Sequence, residues 1–442
     1  MGEKLDSVRS TKKRRFSCGV RASRAGSAIL AVLLACAGAY GQSSGDPVLR
    51  RIYERATEDL KGLPNYTCTE TIERTVRRES KKDYKPLDTV RLEIAYVGGK
   101  EMVAWPGAGK FEDKSIDEFV GRTGAIGNGN FALHTNNLFR TAAPVYTARA
   151  EETRNGRRTI RYDFRVPRER SAFHIASDAG DVVVGYHGSF WVDAETLDLV
   201  RLQTEADDIP QSIKVRASRD TMEYARMRIG ESDFLLPSSS ELVMVDREGT
   251  ENRNVSRFTG CRKYTGESTV SFGDPEAAPE RAGEPEAVRL PAGLTLEATL
   301  DSALDPAKVA IGDPVSATLQ RQVKKGTEIF APKGAVLSGR ITRFEERASR
   351  EGRFYVVGFE FHSLKAANLR AELAANLEEV TLGARYYVPF ATDPSRGASV
   401  WTYLVRDVGG TRPGESLLFV RASRGGAVLP AGFRMVCQTV AQ

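Results

Sequence analysis

The chain has 442 residues, of which 64 are Lys or Arg and 58 are Asp or Glu. Eight of the basic and two of the acidic residues fall in residues 1–41, so the rest carries 56 of each and no net charge. That balance excludes a basic nucleic-acid-binding body as the default, and a hydrophobic content of 41% excludes a disordered chain.

Residues 1–41 read as a signal peptide. Lys12, Lys13, Arg14, Arg15, Arg21 and Arg24 form a charged opening, and Ala25 to Ala35 follow without a charge. Eleven helical residues span about 16 Å, half of a bilayer core of about 30 Å, so this is a secretory apolar segment rather than a spanning helix. Two processing readings compete. Ala39-Tyr40-Gly41 is a small-x-small site for cleavage after Gly41. Leu33-Leu34-Ala35-Cys36 is similar to a lipobox, which would make Cys36 a lipidated first residue. Both predict export, to the periplasm or to the outer membrane. No later run reaches about 18 apolar residues.

The mature chain exceeds what one core usually holds, and two domains are expected. Asp46 as N-cap and Pro47 at the first helical position open a helix. Its apolar stripe is Val48, Leu49, Ile52, Tyr53, Ala56 and Leu60, and Gly62 and Pro64 end it. From Asn65 the period becomes two. Gly98-Gly99-Lys100 and Asn155-Gly156 are hairpin turns. Strands are predicted at Asp181–His187, Gly188–Val192, Leu199–Glu205, Met222–Ile229, Glu241–Asp246 and Asn252–Phe258, with short helices at Ser115–Val120 and Phe131–Arg140. The first domain, 46–272, is therefore a large curved antiparallel sheet with a few helices.

Cys68 opens the first β-run and Cys261 closes the last, so a disulfide joining first and last strands across an open seam is expected, against the alternative of two buried thiols. Cys437, in line with Phe433 and Met435, is a small core residue of a terminal strand. Residues 273–288 are a linker rich in Pro, Glu and Ala. The second domain, 289–442, is all β and barrel-like. Its strands are expected at Leu294–Leu300, Pro314–Val323, Ala335–Arg343, Phe354–Phe361, Leu369–Leu377 and Leu417–Ala422. Leu290-Pro291-Ala292-Gly293 recurs as Leu429-Pro430-Ala431-Gly432, which suggests first and last strands entered by one type of turn.

Signatures of catalysis are absent in any credible context. His134, His174, His187 and His362 are isolated. The letters of a nucleophile elbow at Gly41–Gly45 straddle the processing site, and Gly107-Ala108-Gly109-Lys110 is a β-turn rather than a phosphate loop, with Phe111 where Ser or Thr is required. The glycines at 121, 124, 127 and 129 suggest a loop beside a cavity. Asp178, Asp181, Asp207 and Asp208 read as turn residues. No enzyme, metal or cofactor is expected.

Three resemblances follow. The leading helix, the hairpin ending Val103-Ala104-Trp105-Pro106-Gly107, and Gly188-Ser189-Phe190-Trp191-Val192-Asp193-Ala194-Glu195-Thr196-Leu197 resemble LolA/LolB-like lipoprotein carriers. The resemblance implies a half-open barrel with helices over its mouth and acyl chains in an apolar cavity. Leu63 to Arg74 is similar to the opening of a group of exported acidobacterial proteins. Leu290–Gly293, Gly312-Asp313-Pro314-Val315 and Ile329–Arg340 resemble the barrel of TrbI-type secretion proteins. The expected function is binding of an amphiphilic or lipid-like ligand, with Phe190, Val192, Val200, Leu202 and Tyr224 as candidate cavity lining. The alternative is a structural or assembly component with an envelope protein partner, acting through the second barrel. Cavity volume separates the two: several hundred Å³ favours a carrier and a filled core favours scaffolding.

Overall fold

The structure, a computed structural model, describes residues 46–108, 110–114, 116–120, 133–175, 181–264, 288–305, 308–349, 352–382, 386–388, 402–404, 414–421 and 429–441. The leader with Cys36, the glycines at 121–129, Asp178 and the linker 273–287 lie outside these residues.

The opening helix is as expected. α1 spans Pro47–Gly62, and the Asp46 carboxylate accepts from the backbone N–H groups of Val48 (2.9 Å) and Leu49 (3.3 Å), satisfying two orphan donors of the first turn. Eleven strands follow: β1 (Tyr66–Arg78), β2 (Lys85–Val97), β3 (Lys100–Ala104), β4 (Val145–Arg154), β5 (Arg157–Val166), β6 (Phe173–Ile175), β7 (Val182–Asp193), β8 (Leu199–Asp207), β9 (Val215–Ile229), β10 (Ser232–Asp246) and β11 (Thr250–Lys263). Between β3 and β4 lie α2 (Ile116–Val120) and α3 (Leu133–Asn136), the latter continued by a π-helical turn at Asn137–Thr141. The fold is mainly β, and the strands form one curved antiparallel half-barrel in the order β3-β2-β1-β11-β10-β9-β8-β7-β5-β4.

Several strands are longer than periodicity indicated. β7 runs unbroken through the expected divide at Gly188, because a side chain there would meet the Gln203 carbonyl oxygen at 2.0 Å and only glycine lets β8 pair past it. β10 begins nine residues before the predicted strand, and Pro237 sits at a register shift where its missing N–H breaks no ladder.

The first and last strands of this sheet are neighbours. β1 pairs with β11 from Tyr66↔Lys263 to Arg78↔Thr250. Cys68 and Cys261 are disulfide-bonded at a bulge in that ladder, with Cα atoms 4.1 Å apart, and Gly260 takes φ +61° there. The bond fastens no seam, however. β1 and β11 are already hydrogen-bonded along their length, and the open edges are β3 and β4. Val103 of β3 is covered by Glu112 through two backbone hydrogen bonds of 3.0 and 2.7 Å.

The second sheet comprises β12 (Val288–Arg289), β13 (Thr295–Leu300), β14 (Pro314–Leu319), β17 (Val336–Ser349), β18 (Gly352–Ala366), β19 (Leu369–Glu372), β20 (Ala375–Leu382), β21 (Tyr386–Val388), β22 (Thr402–Leu404), β23 (Glu415–Arg421) and β24 (Arg434–Thr439), while β15 (Val323–Lys325) and β16 (Glu328–Ala331) form a separate hairpin. Two expected strands are corrected. Pro314–Val323 stops at Leu319, and Val323 instead begins the hairpin. Leu369–Leu377 is two strands: the chain leaves β18 after Glu372 and joins β24 from Ala375, so Leu373 and Ala374 form the corner between partners. The recurrent Leu-Pro-Ala-Gly turns lie at opposite ends of one antiparallel pair, β13–β24. Gly293 N–H donates to the Thr439 carbonyl and Gly432 N–H to the Leu300 carbonyl, both at 2.8 Å. Cys437 is a buried free thiol whose pKa burial pushes up to about 12, so it stays protonated.

The two sheets meet at β2. Val90 and Ile311 form a parallel bridge, Arg91 pairs with Asp313, and the Arg340 guanidinium lies 5.0 Å over the Trp105 ring. Gly312, at φ +99°, sits so tightly in this joint that a Cβ would fall 2.4 Å from the Arg91 carbonyl oxygen and 2.6 Å from Trp105 Cε3.

Candidate functional site

The inner face of the half-barrel is apolar at one end and polar farther in. The alternation of β1 turns Tyr66, Cys68, Glu70, Ile72 and Arg74 inward together, and all are buried. Across the ladder, Ile72 lies level with Ser256, Ser240, Met222, Leu202 and Phe190. Two residues along, Arg74 lies level with Asn254, Leu242, Asp220 and Thr204. That second row is a buried band, polar on four of its five strands, with Leu242 of β10 between Asn254 and Asp220.

The apolar end is covered by α1. Leu49 and Ile52 of its stripe are buried against Phe139, Phe190 and Val192, and Tyr53 and Ala56 pack alongside. Phe139 of the π-helical turn stands edge-on to both Tyr53 and Phe190, with ring centroids 5.3 Å apart in each pair. A cavity of about 30 Å³ remains beneath the helix, lined by Ile52, Ala56, Phe139, Leu199, Tyr224 and Leu236 among others. That is room for about one water molecule.

Polar contacts hold α1 at its rim. The Tyr162 hydroxyl donates to Asp46 (2.7 Å) at the helix start, and the Tyr53 and Tyr146 hydroxyls share a hydrogen bond of 2.5 Å. Burial raises the Asp46 carboxyl, but the Tyr162 hydroxyl and the two capping N–H groups outweigh it and hold the pKa below the usual value. Farther along, Arg226 donates twice to Asp198 at 2.6 Å and approaches Asp59 of α1 at 3.5 Å, while Arg55 lies 3.4 Å from Asp198. α3 is tied down separately, through Thr135 and the Tyr224 hydroxyl at 2.5 Å. The helix therefore has an apolar underside and a polar margin.

Of the five expected lining residues, two line the cavity: Val192 and Tyr224. Phe190 and Leu202 are buried in the core around it, at 0% and 1% exposure, and do not reach it. Val200 lines neither. A bulge opposite Val192 makes Leu199 its cross-strand partner and brings Leu199 to the cavity instead. Alternation read from one strand could not reveal a slip set by its neighbour.

The polar band was missed entirely. Arg74 and Asp88, cross-strand partners, form a bidentate pair with both distances 2.6 Å, and both side chains are under 10% exposed. Glu70 is fully buried. Desolvation pushes its pKa up to about 8, against a hydrogen bond from Ser256, and its Oε2 has no hydrogen-bond partner. Asp220 is pushed up to about 7 by the same cause, opposed by the Thr221 N–H. The signal was present: Glu70 shares parity with Cys68 and Ile72.

The turn lies earlier than the Gly107–Lys110 run, over Trp105–Ala108, with Ala108 N–H donating to the Trp105 carbonyl at 3.0 Å; Gly109 lies outside the described residues. His187 is half-exposed on β7 beside Asp207 (2.7 Å), and Arg165 reaches both Asp207 and Asp208. Among the described residues no group of three His, Cys, Asp or Glu is placed to hold a metal ion, and no helix is long and apolar enough to cross a membrane.

No family model matches the chain, and no curated protein matches it. Among solved structures, a LolA superfamily protein from Nitrosomonas europaea is similar over 48% of this chain and 91% of its own, at 13% identity and a TM-score of 0.23. A DUF1329 family protein from Desulfovibrio piger is similar over 52% of this chain and 98% of its own, at 14% identity and a TM-score of 0.29. Likenesses at this level assign no function.

Proposed function

We propose that the chain is an exported envelope protein that binds an amphiphilic, lipid-like ligand inside the half-barrel, without catalysis, and that α1 is the lid over that site. One observation carries this reading: a single amphipathic helix, held at its margin by side-chain contacts, covers an apolar inner face that grades into a buried polar band. Such a face suits a molecule with an apolar tail and a polar head. Lifting α1 would expose Phe139, Val192, Leu199 and Leu236 as a binding surface. The signal peptide, the lipidation option at Cys36, a periplasmic or outer-membrane location and a lipid or lipoprotein ligand all belong to this proposal. They rest on the sequence and on the resemblance stated for it.

A specific observation favours a second reading. The cavity holds about one water rather than several hundred Å³, and a filled core is what a scaffold requires. In that reading the second sheet, with its TrbI-type strings, docks an envelope protein. Native mass spectrometry of protein purified from its own envelope separates the two. The lid reading expects a mass increment matching an acyl lipid, lost on delipidation. A lipid-free protein that carries a stoichiometric protein partner would overturn it in favour of assembly.

A further inference from the structure

The β15–β16 hairpin belongs to neither large sheet. Its root is fixed in the second core: Val323 and Ala331 are each 1% exposed, and Phe330 packs against the same cluster. From that root the strands run outward to the turn Gly326-Thr327, where Gly326 takes φ +63°. The register pairs Lys324 with Ile329 and Lys325 with Glu328. Cross-strand partners share a face, so Lys324 and Ile329 stand side by side. Ile329 is 59% exposed, the highest value among the exposed large hydrophobic residues described.

The charge in this segment is mostly positive. Residues 320–334 contain Arg321, Lys324, Lys325 and Lys333 against Glu328 alone. Arg321 is engaged with Glu297 at 3.1 Å, whereas Lys324, Lys325 and Lys333 are exposed and make no ion pair among the described residues. A lone exposed isoleucine needs no explanation. An isoleucine near the tip of a root-anchored hairpin, with Lys324 beside it and Lys325 and Lys333 exposed in the same segment, does.

We propose that this hairpin is a membrane-docking finger, with Ile329 entering the interface of a bilayer and Lys324, Lys325 and Lys333 resting on anionic lipid headgroups. The two requirements are met by one surface: an apolar side chain to bury, and cations that snorkel beside it to the headgroup level. An acidic protein surface would satisfy the lysines but leaves no use for an isoleucine flanked by them at a protruding turn. The inference does not depend on what the half-barrel binds.

The test is flotation of the chain from Gln42 onward with phosphatidylcholine vesicles, with and without phosphatidylglycerol. Binding is expected only with phosphatidylglycerol, and it falls as salt rises. Lys324→Gln/Lys325→Gln should weaken it roughly 30-fold and Ile329→Ser on the order of tenfold. All three side chains are exposed, so the variants should melt with the wild type, and circular dichroism checks this. Lys81→Gln/Lys82→Gln, an equally exposed pair on the first sheet, should leave binding unchanged. No binding by the wild type, equal binding to zwitterionic vesicles, or equal losses in the hairpin and control variants would each overturn the assignment.

Discussion

Glu70 shows how much chemistry one inward position can hold. It sits between Cys68 and Ile72 in parity, yet it is a carboxyl, and desolvation keeps it protonated up to about pH 8. Asp220 on β9 behaves alike, up to about pH 7. In an unfolded chain these groups ionise near 4.5 and 3.8. Folding therefore favours their protonated forms, and the contribution of these two groups to stability is fully present in acid, falls as pH rises from about 4 towards 8, and levels off above. The loss from Glu70 is on the order of 5 kcal/mol. Glu70→Gln, neutral at every pH, should flatten the fall of melting temperature between pH 5 and pH 8.5. A wild type that gains stability over that range would contradict the burial described. Glu70 does not stand out in the sequence as a site, because a lone buried carboxyl has no catalytic spacing.

At the scale of elements, the parts legible in the sequence are those set by local rules. Asp46-Pro47 fixes the helix start through its own backbone donors, and Gly98-Gly99 and Asn155-Gly156 fix their hairpins through positive φ. Elements governed by partners were not legible. The corner at Leu373-Ala374 exists because β18 and β24 are different neighbours, and the bulge that seats Leu199 exists because β7 and β8 differ in count there. The cysteine pair lies between these cases. Its partners were readable from their places at either end of the β-run, whereas the seam was not, since the sheet opens elsewhere. The disulfide spans a sequence separation of 193 residues. Cys68→Ser/Cys261→Ser should cost about 2–5 kcal/mol through the freer unfolded chain, lowering the urea midpoint, with the β1–β11 ladder retained. An unchanged midpoint would mean that the backbone ladder alone sets this part of the stability.

Over the whole molecule, the half-barrel and the second sheet are joined through Gly312 and the Arg91–Asp313 pair, and the proposal makes the helical cover the part that lifts. α1 is followed by Leu63, which packs on the core of the first sheet, and by Pro64, and part of its margin is exposed ion pairing that water can replace at little cost. The inner face it covers was expected from five residues and rests on a different set, two of the five included. The central claim is that an acyl chain takes the place beneath α1, and a fluorescent long-chain fatty-acid analogue titrated into the protein tests it most directly. Ala56→Trp, on the helix face over the cavity, places a ring where the chain would lie. Saturable binding by the wild type is expected, weakened at least about tenfold by Ala56→Trp in a protein that still folds. Binding that is absent in the wild type, or equal in the two proteins, would contradict it.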